Sequence, residues 1–199
     1  MNSREHPIFT IGYATLSIDR FIELLCQHAI AAVADVRSQP YSRHTPEYSQ
    51  DQLKAALNKA GIQYVFLGQE LGARRDEPEC YVDGKVRYDL VAKTSAFREG
   101  IWRLKKGRTS YRIALLCAEK DPITCHRSIL VSRELSTDGI DVQHILHDGS
   151  LESHDHLEHR LLGFFGRDQV DLFDDEDTRL GRAYSQQAEA IAFVREGEE

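Results

Sequence analysis

Short apolar runs along this chain alternate with stretches in which apolar positions recur every three or four residues, the periods of a buried strand and of an amphipathic helix. Ile8 to Tyr13 reads as a strand, and Ser17 is placed to cap a helix carrying Phe21, Leu24 and Leu25 on one face. Ala31 to Val36 is a second strand, Tyr64 to Leu67 a third, Arg112 to Cys117 a fourth and Val142 to Leu146 a fifth. Between them the spacing predicts helices from about Gln50 to Ala60, stopping at Gly61, from about Asp89 to Lys105, and from Cys125 to Thr137. Ser38 to Ser49, with two prolines and several hydroxyls, is a loop, and Leu71 to Lys85, rich in glycine and charge, is a long excursion.

Strands alternating with helices predict a single three-layer α/β domain with a mostly parallel sheet of about five strands and a C-terminal tail. The core is expected over residues 1–149. Residues 150–199 read as a helical and acidic tail with a weak helix near Tyr184 to Val194. Ligands of such sheets bind beyond the carboxyl ends of the strands. In a 2-1-3-4-5 strand order, however, the second and fourth strands lie roughly 14 Å apart at about 4.8 Å per strand. Chemistry at both ends then meets only if the 38–49 loop reaches across, or if the strand order is a different one.

A length of 199 residues is enough for one substantial core. No apolar run approaches a membrane span, and Met1 to Pro7 lacks a signal peptide's apolar stretch, so a cytoplasmic location is expected. Cys26, Cys80, Cys117 and Cys125 have neither the density of a disulfide scaffold nor the paired spacing of a zinc ribbon, and they read as reduced thiols. The net charge of −7 is uneven: from Ser150 onward there are 13 acidic and 5 basic residues, whereas residues 1–149 are close to neutral. That balance gives no broad nucleic-acid surface, and strong non-specific nucleic-acid binding is not expected.

The densest chemistry follows the fourth strand, in Cys117-Ala-Glu119-Lys-Asp121-Pro122-Ile-Thr124-Cys125-His126-Arg127-Ser128. Thr124 is a candidate cap for the helix after it, which would put Cys125, His126 and Arg127 in a first turn that favours anions and lowers a thiol's pKa. Cys125 is the candidate nucleophile and Glu119 the candidate general acid/base, while Cys117 reads as a small buried core residue. Arg127 and Arg37, with Arg43 from the facing loop, are candidate anion-binding groups; the competing reading is an internal ion pair with Asp35 or Glu119. Gly12 allows close backbone approach to a ligand, and Tyr13 is available to stack. The phosphatase and rhodanese loop, a Cys and an Arg separated by five residues, is absent, because Ile123 occupies the sixth position after Cys117. His154, His156 and His159 read as a solvated helix face rather than a metal site, so no metal or other cofactor is expected.

Three stretches in order, Thr10-Ile-Gly12-Tyr13, Asp35-Val-Arg37-Ser-Gln-Pro40-Tyr41-Ser42-Arg43 and LLCAEKDPITCHR, resemble the family called domain of unknown function 488. The likeness runs from about Ile8 to His147. It implies an α/β domain with a pocket and specifies no reaction. In the tail, Gln169-Val170-Asp171-Leu172-Phe173 resembles the bacterial sliding-clamp-binding peptide, with Val170 in place of the usual Leu. Gln169, Leu172 and Phe173 would be its anchors, unless Leu172 and Phe173 dock on the chain's own surface.

Two functions are therefore open. One is a metal-independent enzyme acting on a phosphorylated or nucleotide-like substrate in an anion-binding crevice. The other is a non-catalytic DNA-maintenance accessory recruited to the clamp.

Overall fold

The computed structural model describes residues 6–166 and 174–195. The fully buried run Ile8–Gly12 forms β1, and Ser17 accepts a hydrogen bond from the Arg20 N–H to start α1 (Ile18–Gln27), which buries Phe21, Leu24 and Leu25. β2 (Ala32–Asp35), α2 (Gln50–Lys59) and β3 (Gln63–Phe66) follow, and then a short α3 (Gly68–Leu71). The glycine- and charge-rich excursion holds a small hairpin, β4 (Tyr81–Val82) with β5 (Lys85–Val86). The helix expected from Asp89 to Lys105 is broken in two, α4 (Tyr88–Val91) and α5 (Ser95–Gly107). Thr94 takes extended backbone angles at the break, and its hydroxyl caps α5 by accepting from the Phe97 N–H.

β6 (Ile113–Cys117) is buried along its whole length and leads through a 3-10 turn into a π-helical turn, Arg127–Ser132, continued by α6 (Arg133–Thr137). After β7 (Val142–Ile145) come β8 (Leu151–Ser153), α7 (His154–Phe164) and α8 (Glu176–Ile191). The sheet runs β3-β2-β6-β1-β7-β8; the first five strands are parallel and β8 pairs antiparallel with β7 at the edge. Continuous apolar runs such as β1 and β6 are what a parallel sheet covered on both faces requires.

Side chains alternate across β6. Ile113, Leu115 and Cys117 join one apolar layer with Phe97, Ile101 and Leu104 of α5, Leu161 of α7, and Ala183 and Tyr184 of α8. Ala114 and Leu116 join the other with Phe21, Leu24 and Leu25 of α1 and Leu53 and Leu57 of α2. Among the described residues no helix is long and apolar enough to cross a membrane.

Candidate functional site

The strand order settles the distance problem that the sequence leaves open. β6 lies between β1 and β2, so Cys117 is paired with Gly12, and Leu116 before it with Asp35. The second and fourth parallel strands are neighbours, and their carboxyl ends meet without a long loop having to reach across. The Tyr13 and Ala14 N–H groups donate to the carbonyls of Cys117 and Ala118, so the loop leaving β6 continues alongside β1. Gly12 is there for that loop: a Cβ on it would stand 1.7 Å from the Glu119 carbonyl oxygen. The close approach expected of a ligand is made instead by the chain's own backbone.

Asp121, not Thr124, provides the cap in this loop. Its Oδ1 accepts from the Ile123 N–H, while the Thr124 hydroxyl donates to the Asp121 carbonyl. The helical turn begins at Cys125, whose carbonyl accepts from the Ser128 and Ile129 N–H groups and whose Sγ lies 3.5 Å from the Arg127 N–H. The thiol thus occupies the place of an N-capping side chain, where backbone donors favour the thiolate.

Four side chains meet at this point. The sulfurs of Cys117 and Cys125 lie 3.0 Å and 2.9 Å from the same oxygen, Oε2 of Glu119. His126 Nδ1 lies 3.6 Å from the Cys117 sulfur and 3.9 Å from that of Cys125. Its Nε2 lies 3.0 Å from the Val36 carbonyl, which can only accept, so Nε2 carries a proton and Nδ1 faces the sulfurs. Both cysteines and His126 are buried. Glu119 is exposed, but Oε2 is turned inward. Cys117, Cys125 and His126 also form a group able to ligate a metal, with donor atoms all within 4.8 Å of one another.

Burial works against the charged form of Cys125, yet the Cys117 hydrogen bond, the Arg127 guanidinium and His126 outweigh it and hold the thiol well below its usual range. Cys117, hydrogen-bonded to Cys125 and buried, is pushed well up. Burial of its carboxyl tip and the charge on Cys125 push Glu119 up as well. Tyr88 also feels the cluster, its phenol raised by burial and by the charges of Cys125, Cys117 and Glu119.

The arginines are engaged mainly by the chain itself. Arg127 is 1 % exposed; Nη1 donates to the Glu119 carbonyl at 2.7 Å, Nη2 to that of Lys120 at 3.3 Å, and Nε to Thr10 Oγ1 at 3.4 Å. Expected as an anion-binding group, it braces the loop that carries Glu119. Arg37 makes the internal ion pair weighed from sequence, with Nε and Nη2 on the two Asp35 oxygens at 2.9 Å and 2.6 Å. Tyr64 also donates to Asp35. The Arg37 nitrogen Nη1 is buried without a hydrogen-bond partner. Tyr13 is already stacked on Tyr48, with ring centroids 4.1 Å apart, and the Arg37 guanidinium lies 5.2 Å from its ring. Arg43 is exposed.

His154 is not on a solvated face. It is buried in a line of hydrogen bonds linking Thr10, His144, His154, Tyr184 and Glu158 at 2.8, 3.1, 2.9 and 2.8 Å. The Arg127 guanidinium at one end only donates and the Glu158 carboxylate at the other only accepts, so the donors all point one way. Gln169, Leu172 and Phe173 lie outside the described residues.

Cys117 is hidden in sequence by the apolar strand that it ends, and Tyr88 lies 29 residues before it at the start of another helix. The signal for the trio was available in the Cys-x-Glu…Cys-His order, once Cys117 is counted as a donor rather than as core.

Fold and site define an α/β domain with thiols, an imidazole and a carboxylate gathered at the carboxyl ends of parallel strands. The model of DUF488, described as a domain of unknown function, matches residues 17–133, more than half of the chain, and the chain belongs to that family. The match holds the whole cluster and leaves out the Thr10 to Tyr13 stretch. No curated protein and no solved structure matches the chain.

Proposed function

We propose that the chain is an enzyme acting on a small anionic substrate, phosphorylated or nucleotide-like, at the cluster of Cys117, Glu119, Cys125 and His126. The observation that carries this reading is the placement of Glu119. It reaches solvent, and its Oε2 is within 3.0 Å of both buried sulfurs, so a proton can pass through it between the cluster and a bound molecule. Glu119 is the general acid/base, Cys125 the reactive centre beside it, and the unpartnered Nη1 of Arg37 the anchor for the substrate's negative charge.

A thermal-shift screen of wild type and Arg37→Ala against nucleotides, sugar phosphates and inorganic phosphate tests it. A ligand at about a hundred times its dissociation constant stabilises the wild type by about 2.7 kcal/mol. The shift should vanish in Arg37→Ala, and Glu119→Gln should lower turnover of the substrate so identified by roughly 10²-fold or more. A wild type that none of these compounds shifts would sink the reading. The accessory reading rests on Gln169 to Phe173 alone; it requires that Leu172→Ala with Phe173→Ala abolish capture by a purified sliding clamp.

A further inference from the structure

We propose that Cys117, Cys125 and His126 hold a soft divalent cation, zinc or a metal of like preference, with a fourth coordination position open beside Glu119. Two thiolates and an imidazole are the donors such a cation selects, and three protein ligands with one open position is the pattern of catalytic rather than structural zinc sites. The spacing fits. Bonds of about 2.3 Å to sulfur and 2.0–2.1 Å to nitrogen at a tetrahedral angle put sulfur and nitrogen about 3.6 Å apart. His126 Nδ1 lies 3.6 Å and 3.9 Å from the two sulfurs. All three donors sit on rigid elements, the end of β6 and the start of the helical turn after it.

Two further observations support the site. A ligating histidine commonly donates its other ring N–H to a carbonyl, which fixes the tautomer and the ring plane. His126 does so with Val36, which leaves Nδ1 turned to the sulfurs. The charge also fits: two thiolates and a divalent ion sum to zero, and an imidazole that donates its Nε2 proton to Val36 adds no charge. Glu119 is not one of the ligands. Its oxygen is at hydrogen-bond distance from both sulfurs, closer than the roughly 3.6 Å that co-ligands of one tetrahedral ion keep. It stands where it can take a proton from whatever fills the fourth position. The inference rests on the enzyme reading only for that role of Glu119, and it replaces the metal-independent chemistry that the sequence alone points to: with the ion bound, Cys125 is a ligand and the reacting group is the one in the fourth position.

The test uses the full-length chain, stripped with a chelator under reducing conditions and then dialysed against Zn²⁺ or Co²⁺. Metal content is measured by elemental analysis, and the cobalt form by its absorption spectrum. The expected result is about one ion per chain, with a thiolate-to-cobalt charge-transfer band and the visible bands of a four-coordinate ion. Cys117→Ser and Cys125→Ser should each weaken binding more than about 100-fold, and Cys26→Ser, which alters an exposed thiol elsewhere, should not. Glu119→Gln should keep the ion. Because a ligand variant can fail to fold, the wild-type stoichiometry and spectrum are decisive by themselves. A wild type that takes up neither ion, or whose two cysteines are found joined as a disulfide after reduction and dialysis without oxidant, would overturn the site. Equal loss in Glu119→Gln would overturn the open position. A bound ion with no anion-induced thermal shift would leave the metal and remove the substrate, and the reverse result would remove the metal and leave the substrate.

Discussion

His154 shows how one buried side chain sets a pH limit for the whole fold. Burial pushes its pKa down from 6.5 to about 4, with Asp155 opposing. The unfolded chain takes up a proton as pH falls through about 6.5, and the folded chain only near 4. Stability is therefore full above 6.5 and falls as pH drops from there toward 4. At about 1.4 kcal/mol per unit the loss is about 3 kcal/mol. His144, likewise held down by burial and by His154, adds to the slope, while Glu158, raised by burial, blunts it; Tyr184 keeps its proton throughout this range. Urea denaturation at pH 7, 5.5 and 4.5 should show this loss, and His154→Gln should flatten it. Gly12 gives a second prediction at this scale. A methyl group there meets a backbone carbonyl at 1.7 Å, so Gly12→Ala should cost roughly 1–3 kcal/mol in the same assay and move Glu119 away from the sulfurs.

Among the elements, α8 is seated by more than apolar contact. The Tyr184 hydroxyl accepts from His154 and donates to Glu158, and the Gln187 side chain donates to the Ile123 carbonyl in the loop beside the cluster. Tyr184→Phe leaves buried His154 without its acceptor and should destabilise the chain by about 1–3 kcal/mol, read as a shift in the urea midpoint. The five parallel strands and the caps at Ser17 and Gly61 were legible because apolar runs and helix-end residues are local signals. The break at Thr94 was written in sequence too, since a threonine in a helical stretch competes for the backbone as a cap. The π-helical turn after Cys125 was not. Nothing in Arg127 to Ser132 distinguishes its wider hydrogen-bond spacing from an ordinary helix, although the Ser132 hydroxyl, donating to the Arg127 carbonyl, belongs to it. The seat of α8 was equally hidden, because only two of its fully buried residues, Ala183 and Tyr184, are apolar, and the third, Gln187, reads as a surface residue beside an acidic stretch.

For the whole molecule, strand order was the property that sequence pattern could not supply. Apolar runs say that strands are buried but carry no label for their neighbours, so the same five runs were compatible with a site spread over roughly 14 Å or gathered at one point. Placing β6 between β1 and β2 gathers it, and that insertion also fixes when the fold can form. A ribosome adds roughly 5–20 residues per second, so the first two strands wait several seconds for the segment that joins them. Until Cys117 has emerged, the strand that pairs with both β1 and β2 is missing, and the apolar residues it covers in the folded sheet stand open to chaperones and to other nascent chains. Chains arrested at Gly107 should be digested readily by protease, whereas full-length chains, which carry β6 and also the α7 and α8 residues packed against it, should resist it. The two thiols of the cluster, one on the strand that joins β1 to β2 and one in the turn just after it, therefore enter the protein together with the element that holds its two halves side by side.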